Sequence, residues 1–203
     1  MKPSGGRAGS KSRNDSGKVI RLLCMVMLRV PFVAFEPGLQ KRLEELWGKP
    51  ASLYRALGNQ PALAAAWTEF FNAIRHQSTT PRALREIMIL RAAQLACSEY
   101  EWAHHLAMAR KAGVREPQIE ALADWRNSVQ FDDRERAALA LTEAVTAGKV
   151  TDEIFAVVRR HFGDAEYVEL CLTAAAYAMV SRMLDALGVE LDAHERDYSP
   201  KLP

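Results

Sequence analysis

From Pro37 to Gly188 the apolar residues return at intervals of three and four, and almost no stretch alternates strictly between apolar and polar. A half-buried strand needs that alternation and an amphipathic helix needs the longer period, so the chain is restricted to helices packed on helices. The pattern predicts helices over 37–47, 51–57, 61–76, 81–96, 98–112, 116–124, 132–147, 151–161 and 164–187. Thr80 before Pro81 reads as an N-cap followed by proline at the first helical position, and Thr151 precedes Asp152 and Glu153, where a helix start favours acids. Gly113 and Gly188 are suited to ending helices. The last helix is apolar on most faces, from Leu170 through Tyr177 to Leu184, which predicts cover on several sides, at a bundle centre or a subunit interface.

A chain of 203 residues, 49% of them apolar, is enough for one domain with a sizeable core. Residues 1–30 form a basic extension that carries seven Lys/Arg against Asp15, and its Gly/Ser/Lys/Arg-rich start predicts disorder. The formal charge of +2 is therefore +6 there and −4 over the remainder, which argues against a nucleic-acid-binding body. The helical domain is expected over 31–192, and the polar, proline-containing 193–203 as a tail. The apolar run at 19–28 is bracketed by Arg21 and Arg29 and no small-residue cleavage site follows it, so secretion is not expected. No apolar stretch reads as long enough to cross a membrane. Cys24, Cys97 and Cys171 are odd in number and far apart, which fits a reducing, cytoplasmic compartment.

Ionisable groups become dense over Arg85-Glu86-Ile87-Met88-Ile89-Leu90-Arg91 and Cys97-Ser98-Glu99-Tyr100-Glu101-Trp102-Ala103-His104-His105. In a helix starting near Ser98, residues 98, 101, 105 and 109 share one face, so Glu101 and His105 can meet. A carboxylate beside an imidazole orients the ring and raises its basicity, the arrangement of a general base or proton shuttle. Glu86, on the preceding helix, is placed to supply a second carboxylate. The same Ser98-x-x-Glu101 spacing equally spells a capping box, and Tyr100 and Trp102 read as readily as core aromatics. His104 and His105 point about 100 degrees apart, which opposes a shared site, and no metal-ligand spacing accompanies them.

This segment resembles the central motif of the carboxymuconolactone decarboxylase and alkylhydroperoxidase-D-like superfamily. The thiol-active branch of that group carries a glutamate and then Cys-x-x-Cys-x-x-x-His-x-x-x-Ala-x-x-x-Gly. Here Glu86 takes the glutamate position, Ser98 and Glu101 stand where the cysteines would be, and His105, Ala109 and Gly113 follow in step. Cys97 is one place too early to substitute, so the resemblance is to the branch without a redox pair. The closing Tyr177-Ala178-Met179-Val180-Ser181-Arg182 is also similar to that group.

The resemblance implies a single-domain, all-α bundle of the alkylhydroperoxidase-D-like type, assembled as a trimer or hexamer. It further implies a cofactor-independent lyase acting on a small unsaturated organic acid or lactone. In that reading His105 is the acid/base, Glu101 orients it and Glu86 is a second proton-handling carboxylate, while Ser98, Tyr100, Trp102, Arg182 and Tyr177 contact substrate. For an anionic substrate Arg85, Arg91 and Arg182 are the candidate cations. A thiol redox protein centred on Cys97 and a non-catalytic oligomeric binding protein are the alternatives.

Overall fold

The computed structural model describes residues 28–48 and 51–191. The basic extension as far as residue 27, with Cys24, and the tail from residue 192 lie outside the described residues. Among those described, the chain is helical throughout, with α1 Pro37–Trp47, α2 Ser52–Leu57, α3 Pro61–His76, α4 Arg82–Leu95, α5 Glu99–Lys111, α6 Glu116–Ala121, α7 Asp133–Thr146, α8 Asp152–Arg159 and α9 Asp164–Leu187. A short 3-10 turn over Leu122–Asp124 extends α6. The sequence periodicity located every one of these elements.

Several ends follow from side-chain chemistry. Asp132 caps α7 by accepting from the Glu135 amide at 2.8 Å, and Glu135 reaches back to the Asp132 amide at 3.0 Å. Thr151 caps α8. Gly188 ends α9 in the left-handed region at φ 64°, where a side chain would be strained. The start of α4 differs from expectation: Pro81 itself is the cap residue, the helix begins at Arg82, and Thr80 instead accepts through its hydroxyl from Arg85 at 3.0 Å.

α4 packs against α5, α7 and α9 and is buried from Leu84 through Leu90 without a break. Its faces feed three apolar clusters. Ile89 and Ala92 meet Phe71, Tyr100 and Tyr177; Ile87 and Leu90 meet Trp102, Leu106 and Trp125; Leu84 and Met88 meet Leu141, Phe162 and Leu170. Within the single chain the helix covered on all sides is therefore α4. α9 packs on α4 and α7 but leaves Val168, Leu172 and Met179 exposed along a row spaced by fours and sevens. By length and composition α9 is also apolar enough to cross a membrane, contrary to the expectation from sequence, and half of that window is buried inside the bundle. Such burial is the mark of a core helix.

Because Leu90 is fully enclosed, Leu90→Ala should lower the unfolding free energy by about 2–5 kcal/mol, measured by chemical denaturation.

Candidate functional site

A helix buried on all sides that carries Arg85 and Glu86 must satisfy both charges internally. Arg85 does so locally, donating to the Thr80 carbonyl and hydroxyl and, at 3.2 Å, to the Arg75 carbonyl. Glu86, with no exposed surface, hydrogen-bonds His105 of α5 through Oε2 and Nδ1 at 2.8 Å. Its other oxygen is ion-paired with Arg82, one turn earlier on α4. On the far side of the ring, Glu101 Oε2 lies 3.7 Å from His105 Nε2, beyond hydrogen-bond distance. That buried oxygen has no hydrogen-bond partner among the described residues.

The three residues picked from the sequence thus converge, with their parts exchanged. Glu86, not Glu101, orients the imidazole. Only half of the capping box forms: Ser98 accepts from the Glu101 amide at 3.4 Å, while the Glu101 carboxyl turns inward to the ring. His105 is the histidine in the cluster, whereas His104 stacks on Tyr100 at 4.1 Å and meets the Tyr100 carbonyl through Nδ1.

Burial and charge divide the protons unequally. Burial alone would raise the Glu86 carboxyl, but His105 and Arg82 beside it outweigh that and hold it below the usual carboxylate range. Burial pushes the His105 imidazole down, aided by the Arg75 and Arg82 charges, against the opposing pull of Glu86. The expected gain in basicity is therefore reversed, because the cost of charging an enclosed ring exceeds what its carboxylate partner returns. Glu101 is pushed up to about 8, by burial first and with Glu86 adding to the rise, against the lowering charge of Arg75. At neutral pH Glu86 is a carboxylate that can only accept, so His105 carries its proton on Nδ1. The bare Nε2 lone pair then faces a protonated carboxylic acid.

Tyr177 of α9 forms a wall, its ring edge-on to His105 at 4.8 Å and to Phe71 at 5.7 Å. Its phenol oxygen accepts from Arg75 Nε at 3.1 Å, and burial raises its pKa, keeping it neutral. Arg75 also lies 5.2 Å over the Trp47 ring, which packs on Tyr54 at 4.9 Å. Sequence reading missed Arg75, Arg82, Tyr54 and Trp47; only the Arg82–Glu86 spacing of four gave a usable signal.

The remaining candidates lie apart or serve the frame. The Tyr100 hydroxyl accepts from the Leu53 amide at 3.3 Å. Trp102 sits in the cluster formed with Ile87, Leu90 and Trp125. Arg91 is held by Glu143 at 2.7 Å. Arg182 is exposed, donates to the Thr146 carbonyl at 3.2 Å rather than pairing with an acid, and borders a groove of about 510 Å³ between α7 and α9. Among the described residues, no group of three or more His, Cys, Asp and Glu is arranged to hold a metal ion.

Residues 61–144, which include α4, α5 and most of α7, match the model of the Carboxymuconolactone decarboxylase family. The chain is 31% identical over 115 residues to the uncharacterized protein YdfG of Bacillus subtilis (strain 168), covering 55% of this chain and 78% of YdfG. The chain belongs to the carboxymuconolactone decarboxylase family. Two solved structures carry the same fold. An alkylhydroperoxidase AhpD core protein of Ralstonia eutropha JMP134, described as peroxidase-related, superposes with a TM-score of 0.71 at 17% identity, covering 82% of this chain and 93% of that one. The debrominase Bmp8 superposes with a TM-score of 0.69 at 22% identity, covering 79% and 89%. The decarboxylase-family frame and the alkylhydroperoxidase-D-like bundle expected from the motif are both present, and the family includes enzymes.

Glu101 gives the site a pH signature. The folded protein keeps the Glu101 proton up to about pH 8, whereas an unfolded chain releases it near its ordinary 4.5. In that window the folded state binds more protons, so the Glu101 contribution to stability declines as pH rises from about 4.5 to 8. Glu101→Gln should flatten that decline in melting temperature measured across the window.

Proposed function

We propose that this family member is a cofactor-independent lyase acting on a small unsaturated organic acid or lactone. The observation that carries the reading is the unshared His105 Nε2 lone pair, its ring held by the ionised Glu86, beside the Glu101 acid that burial keeps protonated. One neutral base and one neutral acid within 3.7 Å can take and give a proton at the same reacting atom, and general acid–base chemistry asks for that pairing.

For a decarboxylation, the electrons of the breaking carbon–carboxylate bond pass into a carbonyl conjugated with it on the substrate, and carbon dioxide departs. Glu101 then protonates the carbon that has gained charge, and a proton from solvent restores the acid before the next turnover. The balance is one carboxylate and one proton in, one C–H bond and carbon dioxide out. Glu86 contributes by holding the ring in the required tautomer, with Arg82 keeping Glu86 ionised. Of the substrate contacts suggested by the sequence, Tyr177 adjoins the reacting pair; Ser98 and Tyr100 position the α5 helix, and Trp102 and Arg182 stand away from it.

The reading is extended to a homo-oligomer, trimer or hexamer, in which the α9 row of Val168, Leu172 and Met179 packs on a second copy; exposed apolar side chains in a regular row support it. Cys97 and Cys171 carry free thiols, in keeping with a reducing cytoplasm.

Purified protein should release carbon dioxide from a panel of unsaturated lactone acids, followed by ultraviolet absorbance. His105→Ala, Glu101→Gln and Glu86→Gln, each checked for folding, should slow turnover by about 10²–10⁴-fold, and alkylation of the thiols should leave it intact. Full turnover in His105→Ala, or loss of activity on alkylation of the folded protein, would dismiss the proposal. Sedimentation should give a trimer or hexamer that Leu172→Lys shifts toward monomer.

A further inference from the structure

Three arginines converge where α3 ends. The Arg75 carbonyl, in the last turn of α3, accepts from Arg82 at 3.0 Å and from Arg85 at 3.2 Å. Two of the three charges are engaged, Arg82 by Glu86 and Arg85 by the Thr80 oxygens together with that carbonyl. Arg75 is different. Its only hydrogen bond among the described residues runs from Nε to a neutral phenol, Tyr177, and no carboxylate is ion-paired with it. Neither terminal nitrogen of the guanidinium fork has an acceptor among the described residues.

A half-buried guanidinium without an anion is costly, and the natural remedy, a carboxylate beside it, is withheld because Glu101 keeps its proton. The unit formed by Arg75, Arg82, Glu86, His105 and Glu101 thus carries one uncompensated positive charge. Further polar capacity surrounds it. Among the described residues Glu101 Oε2 and Trp47 Nε1 are buried without hydrogen-bond partners, and Arg75 lies over that same Trp47 ring. Because Tyr177 accepts from Arg75, the phenol's own hydrogen is directed elsewhere, and it is available to a bound acceptor.

We propose that Arg75 and Tyr177 form the carboxylate-binding subsite of the candidate centre, with the terminal nitrogens of Arg75 holding a substrate carboxylate as a fork and Tyr177 donating to it. This rests on the lyase reading for what happens beside the subsite, and on geometry alone for the binding. A planar fork matches a carboxylate in two parallel hydrogen bonds, and the Trp47 and Tyr54 rings beside it suit a flat unsaturated body. An ion-paired carboxylate resists loss as carbon dioxide, so a lyase substrate carries a second carboxylate that departs, and the group anchored by Arg75 remains on the product.

Calorimetric titration of the full chain with 2-furoate and with its uncharged analogue 2-furamide tests this without requiring turnover. The wild type should bind the acid about tenfold or more tightly than the amide. Arg75→Gln, checked for folding by its thermal midpoint, should weaken furoate by about tenfold to a hundredfold and leave furamide unchanged, with Arg75→Lys in between. Equal binding of acid and amide by the wild type, no saturable furoate binding, or undiminished furoate affinity in folded Arg75→Gln would each overturn the subsite. Charge-selective binding lost in Arg75→Gln, together with no decarboxylation of any lactone acid, would retain the subsite and dismiss the lyase reading. Wild-type turnover with an unchanged KM in Arg75→Gln would do the reverse.

Discussion

The hydrogen bond between Glu86 and His105 depends on a helix with no solvent-facing side. Once α4 is enclosed by α5, α7 and α9, a carboxylate at position 86 cannot be hydrated and has to be answered from within. His105 supplies one contact and Arg82 the other, and the register between α4 and α5 is fixed in the process. The rest of the candidate centre follows from that constraint. A ring clamped through Nδ1 turns Nε2 toward Glu101, and a carboxyl buried near a second, ionised carboxyl retains its proton.

The fold was readable because its determinants are local. Periods of three and four marked the helices, and Thr151, Asp132 and Gly188 punctuate them with chemistry confined to a few residues. Where a competing local arrangement existed, the reading slipped: Thr80 resembles a cap, yet its hydroxyl serves the Arg85 guanidinium. The full enclosure of α4 was not legible for another reason. α4 is interrupted by Arg85, Glu86 and Arg91, so its composition concealed its burial, whereas the polar residues of α9 are few and its exposed row is apolar.

The candidate centre was legible in its acid–base half, since Glu86, Glu101 and His105 fall within twenty residues on two consecutive helices. Their parts were not, because spacing on one helix favours Glu101 as the partner of His105 and cannot weigh a shorter contact across helices. Arg75, Tyr54 and Trp47 come from the preceding three helices. An arginine in the last turn of an amphipathic helix reads as ordinary surface until tertiary packing lays it over Trp47 and against Tyr177.

The beginning of α5 carries one more consequence. Cys97 is the left-handed residue that closes α4, at φ 51°, and Ser98 is the residue that opens α5, so the thiol sits on the hinge between two helices and outside the face that looks inward. Ser98 is taken up as the cap of α5, and Glu101, one turn further on, is the buried acid that keeps its proton. One helix start thus holds an exposed thiol that solvent reaches and, four residues on, an acid that solvent hardly touches.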